Sequence, residues 1–219
     1  MSADSQAATI DAPLVAIPRV GRSGAHILAA AAAFVVTAFL ANDPVSAWEL
    51  NAFRFINDLP RTIEPVLYVI QQGASAVVIP IAAVVLWRIT RRWRPALFLT
   101  GGAFFLGWLA AKILKAIVDR GRPGGMIPDV TLGFDIPRTG FGYPSGHAVL
   151  AFTLATVFSP FLPKRWRWTA YAAAVLIGLT RIYVGAHWPL DIASGAAYGI
   201  IVGTIINRVG KVHLAPSNV

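Results

Sequence analysis

The chain has 219 residues, 56% of them hydrophobic and only 13% charged, with a mean hydropathy of +0.63. That composition excludes an ordinary water-soluble domain and describes a small polytopic membrane protein. The net charge of +9 does not indicate nucleic acid, because the basic residues fall in short clusters between apolar runs; lack of cysteine excludes disulfides and thiolate metal sites, and four histidines, two near the chain ends, leave no polyhistidine site.

Residues 1–23 are polar, small or proline-containing, carry Arg19 and Arg22 just before the first apolar run, and read as a disordered cytoplasmic tail. A first span is expected over residues 25–41, at the short end of what crosses a bilayer; the long polar leader argues against a cleaved signal peptide. Asp43-Pro44 stops that span and can start a helix, with Asp43 as its cap. Trp48, Ala52, Phe55, Ile56 and Leu59 then recur at helical spacing opposite Glu49, Asn51, Arg54 and Asp58, which predicts a helix lying in the membrane interface.

Pro60 closes this helix, and residues 64–72 form a second short outer helix, with Gln71-Gln72-Gly73 as the break before a second span over 74–89. A basic turn at 91–95 leads into a third span over 96–118, and the glycine- and proline-rich loop 119–143 is too polar to cross a membrane. Fourth, fifth and sixth spans are expected over 145–162, 168–183 and 189–207. The expected fold is therefore all-α, with six transmembrane helices and a short interfacial helix after the first. It forms one membrane domain over 24–210, flanked by cytoplasmic tails at 1–23 and 211–219, without an internal repeat.

Charge sets the orientation. The N-terminal tail, the two basic turns and the C-terminal end collect Arg19, Arg22, Arg88, Arg91, Arg92, Arg94, Lys164, Arg165, Arg167, Arg208 and Lys211 on one side, against only Asp4 and Asp11. The remaining charges balance, so the whole +9 excess sits on that side, which the positive-inside rule makes cytoplasmic. The loops bearing His147 and His187 then face the periplasm or cell exterior.

Three stretches deliver unusual polar residues to the outer side. Lys115 and Arg122 lie at the outer end of the third span, seven residues or two helical turns apart, and point the same way if the helix persists to Gly121. Alone, such a pair is the ordinary snorkelling arrangement of a helix end. Pro144-Ser145-Gly146-His147 opens the fourth span. Its free N–H groups and positive dipole end favour an anion, Gly146 allows close backbone approach, and His147 reaches the same anion.

Residues 180–191 place Arg181, His187 and Asp191 between two apolar runs, where ionisable groups at hydrocarbon depth cost ~2.5–3.5 kcal/mol each and mark function. Pro189 suits a first helical turn, so His187 and Asp191 can share a face. The carboxylate can then keep one imidazole nitrogen as N–H and leave the other free. A surface ion pair at a helix end is the competing reading of that stretch alone. Combined, the three cations Lys115, Arg122 and Arg181 and the helix start at Ser145 and Gly146 fit the equatorial oxygens of a phosphoryl group. His187, with its carboxylate partner, is the better nucleophile, and His147 the better acid for the leaving oxygen.

The set K-x6-R-P, P-S-G-H and R-x5-H-x3-D, in this order and on one membrane side, resembles the signature of the type 2 phosphatidic acid phosphatase superfamily of integral membrane lipid phosphatases. The resemblance covers Lys115 to Asp191 by motif; the family's third motif usually begins Ser-Arg, whereas here Thr180 precedes Arg181. It implies that His187 forms a phosphohistidine, Asp191 orients it, and His147 protonates the leaving group and later activates water. Lys115, Arg122, Ser145, Gly146 and Arg181 would hold the phosphoryl oxygens without a metal or other cofactor.

Members of the family act on phosphatidate, phosphatidylglycerol phosphate, lipid A or polyprenyl diphosphate, and soluble relatives hold vanadate as haloperoxidases. An outward site favours polyprenyl diphosphate; a glycerolipid phosphate is the runner-up, and a lipid or anion transporter using the same cations is the rival from another class. The partners expected are a lipid phosphate and the bilayer, with no nucleic acid. Lys112 and Asp119 read as a structural pair at a helix end, His26 and His213 as solvated, and Trp87, Trp93, Trp166 and Trp168 as an inner aromatic belt. Arg138, Phe141 and Tyr143 are candidates to touch a head group from the loop.

Overall fold

The computed structural model describes residues 24–42, 44–134 and 136–210. The expected tails, 1–23 and 211–219, and the capping role of Asp43 lie outside the described residues. Their regular structure is helical, with no β-strand among the described residues beyond one antiparallel bridge between Gly121 and Phe141. In chain order the helices are α1 (Gly24–Asn42), α2 (Ala47–Asn57), α3 (Glu64–Gln71), α4 (Val78–Thr90) and α5 (Trp93–Gly102). A π-helical segment, Ala103–Leu109, joins α5 to α6 (Ala110–Val118); the single turn α7 (Pro123–Met126), then α8 (Gly146–Phe158), α9 (Lys164–Tyr183) and α10 (Pro189–Val209) follow.

Three of these are long and apolar enough to cross a membrane: Gly24–Asn42, the continuous Trp93–Val118, and Pro189–Val209. A fourth crossing results if Arg61–Ala74 and Val78–Thr90, bent by 62° at the break after Gln71-Gln72-Gly73, count as one. Gly146–Phe161 is apolar but shorter, and α9 is long but carries Lys164, Arg165, Arg167 and Arg181. The chain is thus an all-helical membrane protein with three to four candidate spans.

The bundle is organised around α8, whose residues from Ala148 to Val157 are all buried. Its main partner is α10, which approaches through Gly195, Gly199 and Gly203, four residues apart on one face. A Cβ on Gly199 would lie 2.6 Å from the Val149 carbonyl oxygen, and one on Gly203 2.9 Å from that of Thr153. Only glycine permits that backbone separation. On its other sides α8 meets α9 and the π-helical segment, and α1 packs on α10. Large apolar side chains such as Leu28, Phe39, Val77, Phe105 and Ile113 stay exposed around the outside, as a lipid-facing surface requires.

The amphipathic helix expected after the first span is present as α2. Glu49, Phe53 and Asn57 form its buried face, with Glu49 only 1% exposed, while Trp48 and Phe55 of the apolar stripe are 55% and 79% exposed. In a bilayer the apolar stripe belongs to lipid. The polar stripe turns inward because the protein supplies partners: Asn57 donates to the carbonyls of Thr131 and Tyr183, and Glu49 meets a buried arginine. The four tryptophans of the expected inner belt are exposed, and Arg88, Arg94 and Arg165 lie over the rings of Trp87, Trp93 and Trp166.

Candidate active site

Five pieces of chain meet at one end of the bundle: the end of α6, the loop after it, the start of α8, the end of α9 and the turn into α10. There Lys115, Arg122, Gly146, His147, Arg181 and His187 line a pocket of about 290 Å³, together with Trp108, Ala111 and Lys112. Ser145 and Asp191 lie directly behind this lining, both fully buried. All eight residues expected from the sequence are therefore brought together.

How they arrive differs from the helical argument. α6 ends at Val118, because Asp119 adopts a left-handed conformation with φ 49°, so Arg122 comes from the loop and not from a continued helix. The loop is held by pairing: Arg122 N–H donates to the Gly140 carbonyl at 3.0 Å and Gly142 N–H to that of Arg120 at 2.7 Å. The Arg122 guanidinium donates to the Ala186 carbonyl at 3.2 Å, and Lys115 Nζ to the carbonyls of Phe141 and Gly142 at 3.2 and 2.8 Å. Arg181 donates to Gln71 Oε1, the buried residue at the end of α3.

His187 precedes α10, so its contact with Asp191 is part of a helix cap and not a shared helical face. Asp191, in the first turn, turns its Oδ2 back to accept the Trp188 N–H at 2.9 Å, and the same oxygen lies 3.4 Å from His187 Nδ1. That last distance is long for a hydrogen bond, as catalytic contacts often are before substrate tightens them. It leaves Nε2 as the nitrogen free to react. Burial drives the His187 pKa well below the ordinary imidazole range, and Lys115, Arg181, Arg122 and His147 push it in the same direction.

The start of α8 supplies the anion site with one subtraction. Ser145 N–H is already used on the Asp191 backbone carbonyl at 3.0 Å, which leaves the amides of the first helical turn, from Gly146 onward, for a ligand. Ser145 Oγ and Arg181 Nε are buried and lack a hydrogen-bond partner among the described residues. Gly142 matters for a different reason: a Cβ there would stand 2.7 Å from Asp191 Oδ2.

Sequence reasoning missed the group behind Asp191. Arg120 donates from Nη1 to Asp191 Oδ1 at 3.1 Å, and grips Glu49 through Nη1 and Nη2 at 3.1 and 2.6 Å. Glu49 Oε1 also accepts the Leu190 N–H at 2.9 Å, so α2 holds the start of α10. Burial disfavours the Arg120 charge, but the bonds and charges of Glu49 and Asp191 outweigh it and raise its pKa; Arg122, lacking such a clamp, has its pKa lowered by burial. The available signals were a carboxylate inside a short helix and a second arginine beside Arg122. Lys112 and Asp119 do not pair: Lys112 lines the pocket, and neither occurs in an ion pair among the described residues. Tyr143 is fully buried, its hydroxyl within 3.3 Å of Thr37 Oγ1 on α1; Arg138 and Phe141 are exposed, and Arg138 donates to the Gly124 carbonyl.

Fold and pocket together define a helical membrane protein with a cationic, histidine-bearing cavity at one end of its bundle. Residues 75–213 match the PAP2 superfamily, and the chain belongs to it. It is 30% identical over 164 residues to the bacitracin transport permease protein BcrC of Bacillus licheniformis, covering 71% of this chain and 77% of that one. It is 31% identical to an undecaprenyl-diphosphatase of Sulfolobus acidocaldarius, covering 61% and 63%. The crystal structure of Aquifex aeolicus LpxE superposes with a TM-score of 0.67 at 30% identity, covering 74% of this chain and 96% of that one.

Proposed function

We propose that the protein is a lipid phosphatase that removes the terminal phosphate of a membrane lipid phosphate or diphosphate through a phosphohistidine. The observation that carries this reading is the convergence of His187, His147 and three cations on one pocket, with Nδ1 of His187 facing Asp191. Lys115, Arg122, Arg181, Ser145 and the amide of Gly146 hold the phosphoryl oxygens, where charge spreads in the transition state. Nε2 of His187 forms the N–P bond as the P–O bond to the leaving group breaks, and the electron pair departs on that oxygen. A bound phosphate dianion offsets the cations and allows His147 to carry the proton it donates. The same residue then takes a proton from the water that hydrolyses the phosphohistidine.

Metal independence is part of the proposal; among the described residues no three His, Asp or Glu gather in a metal-ligating group. So is a six-span layout over one domain, 24–210, with cytoplasmic tails and the pocket toward the outer leaflet. The distribution of basic residues supports it. Polyprenyl diphosphate is the favoured substrate, since an outward site suits recycling of a glycan carrier and a relative is an undecaprenyl-diphosphatase; glycerolipid phosphates come second.

A panel of lipid phosphates offered to the purified protein in detergent tests this. Phosphate release that survives a chelator and is inhibited by vanadate is the expected result. Release abolished by chelator and restored by magnesium overturns the metal-free chemistry. The name of the Bacillus licheniformis relative favours one second reading, a transporter. In that case lipid or anion movement survives His187→Ala and no phosphate is released.

A further inference from the structure

Lys112 has no task in the chemistry described so far, yet it stands in the pocket. Trp108, Ala111, Lys112 and Lys115 follow the spacing i, i+3, i+4, i+7, so they form one stripe of the helix facing the cavity. Within that stripe Lys112 lies three residues, about 4.5 Å of helix rise, from Lys115 on the side toward the middle of the Trp93–Val118 span. A lysine near the end of a membrane helix ordinarily extends its ammonium toward water. This one runs the other way, with Nζ 4.0 Å from the ring centroid of Trp108, a full turn deeper in the span. The stacked ring of Phe104, 5.2 Å from Trp108 and inclined by 14°, backs that position. No carboxylate pairs with Lys112 among the described residues. Lys112 is exposed and lines the pocket, so its ammonium is open to an anion supplied by a ligand there.

The proposed reaction fixes where that anion sits. With the attacked phosphoryl group among Lys115, Arg122, Arg181 and the start of α8, the leaving group and its hydrocarbon lie on the membrane side, against Trp108, Ala111 and Lys112. A phosphate monoester places an uncharged glycerol or alkyl carbon there. A diphosphate places its second phosphate there, one bridging oxygen away. We infer that Lys112, held over Trp108, is the specificity-determining residue that binds the second phosphate and selects lipid diphosphates over lipid monoesters. When the terminal P–O bond breaks, the departing lipid monophosphate carries the electron pair, and Lys112 faces that growing charge.

This rests on the phosphatase reading, and the test separates the two. Phosphate release is measured for the wild type, Lys112→Met and Lys112→Arg on a polyprenyl diphosphate, on phosphatidate and on phosphatidylglycerol phosphate, whose second phosphate lies a glycerol away. One charged contact corresponds to a loss of about 10–100-fold. Lys112→Met is therefore expected to lose at least about 10-fold more kcat/KM on the diphosphate than on either glycerolipid, and Lys112→Arg to recover most of it. As a second readout, pyrophosphate should inhibit the wild type more strongly than orthophosphate does, and Lys112→Met should remove that difference. Equal losses on all three lipids, or no loss on the diphosphate, overturn the assignment while leaving the phosphatase standing. No phosphate released from any lipid by the wild type overturns both.

Discussion

His187 and His147 line one pocket with different surroundings: the first has a carboxylate at Nδ1, the second stands on the opening turn of α8. Their separate roles predict separate phenotypes. His187→Ala should abolish turnover and any acid-labile phosphoenzyme, whatever the leaving group. His147→Ala should cripple phosphoenzyme formation from alkyl phosphates but impair it less for diphosphates and aryl phosphates, whose leaving groups need no proton. Rapid quench must isolate that first step, because water activation also depends on His147; equal loss for good and poor leaving groups would remove its acid role.

A second expectation concerns protonation of the nucleophile. Burial and the surrounding cations hold the folded pKa of His187 well below the unfolded value, so the unfolded chain binds the extra proton as pH falls through about 6.5. The stability His187 contributes is thus complete above that pH and is lost below it. In ¹⁵N-histidine spectra of the ligand-free protein its ring should remain neutral at about pH 6; titration at the ordinary imidazole position would show that the pocket does not act on it.

At the scale of elements, the helix lying beside the bundle and the glycine face of α10 carry the testable weight. α2 contributes Glu49 to a buried cluster in which two carboxylates share Arg120. Glu49→Gln removes one charge and weakens the grip on Arg120 while keeping the shape. The expected cost is about 3–5 kcal/mol of stability, as for breaking a buried pair, together with a fall in kcat larger than any change in KM. Thermal unfolding in detergent and steady-state kinetics check this, and an unaltered kcat would mean that Arg120 does not position Asp191. Gly199→Leu should destabilise the α8–α10 contact by at least about 1–3 kcal/mol, the usual cost of overpacking, since even a Cβ there meets the Val149 carbonyl oxygen at 2.6 Å. A variant as stable as the parent would show that these helices can separate freely.

For the whole molecule, orientation is the property to test. The chain contains no cysteine, so single cysteines report topology without background. One placed in the 124–134 part of the loop should react with an impermeant reagent added to intact cells, and one at 164–167 only after permeabilisation. The opposite pattern would invert the orientation and remove the argument for an outer-leaflet substrate.

The order and spacing of K-x6-R-P, P-S-G-H and R-x5-H-x3-D were enough to name the family and the eight residues that gather at the site, six lining the pocket and Ser145 and Asp191 behind it, because most of them stand at a helix start, a helix end or a cap. The break before α4 and the boundaries of α1 and α10 were equally legible, since apolar runs and prolines act within a few residues. The partner of the polar stripe of α2 was not. An apolar stripe points toward whatever is apolar around it, and in a bilayer that is lipid, so only the packed structure shows Glu49 turned inward against Arg120. The end of the third span at Val118 was legible too, but the placement of Arg122 was not: it is held by loop pairing with Gly140, a partner 18 residues on. Lys112 looked like a helix-end lysine until the ring of Trp108 fixed its direction. Local chemistry determined which residues form the site; contacts between elements distant in sequence, such as Glu49 with Arg120 and Arg122 with Gly140, decided what supports it.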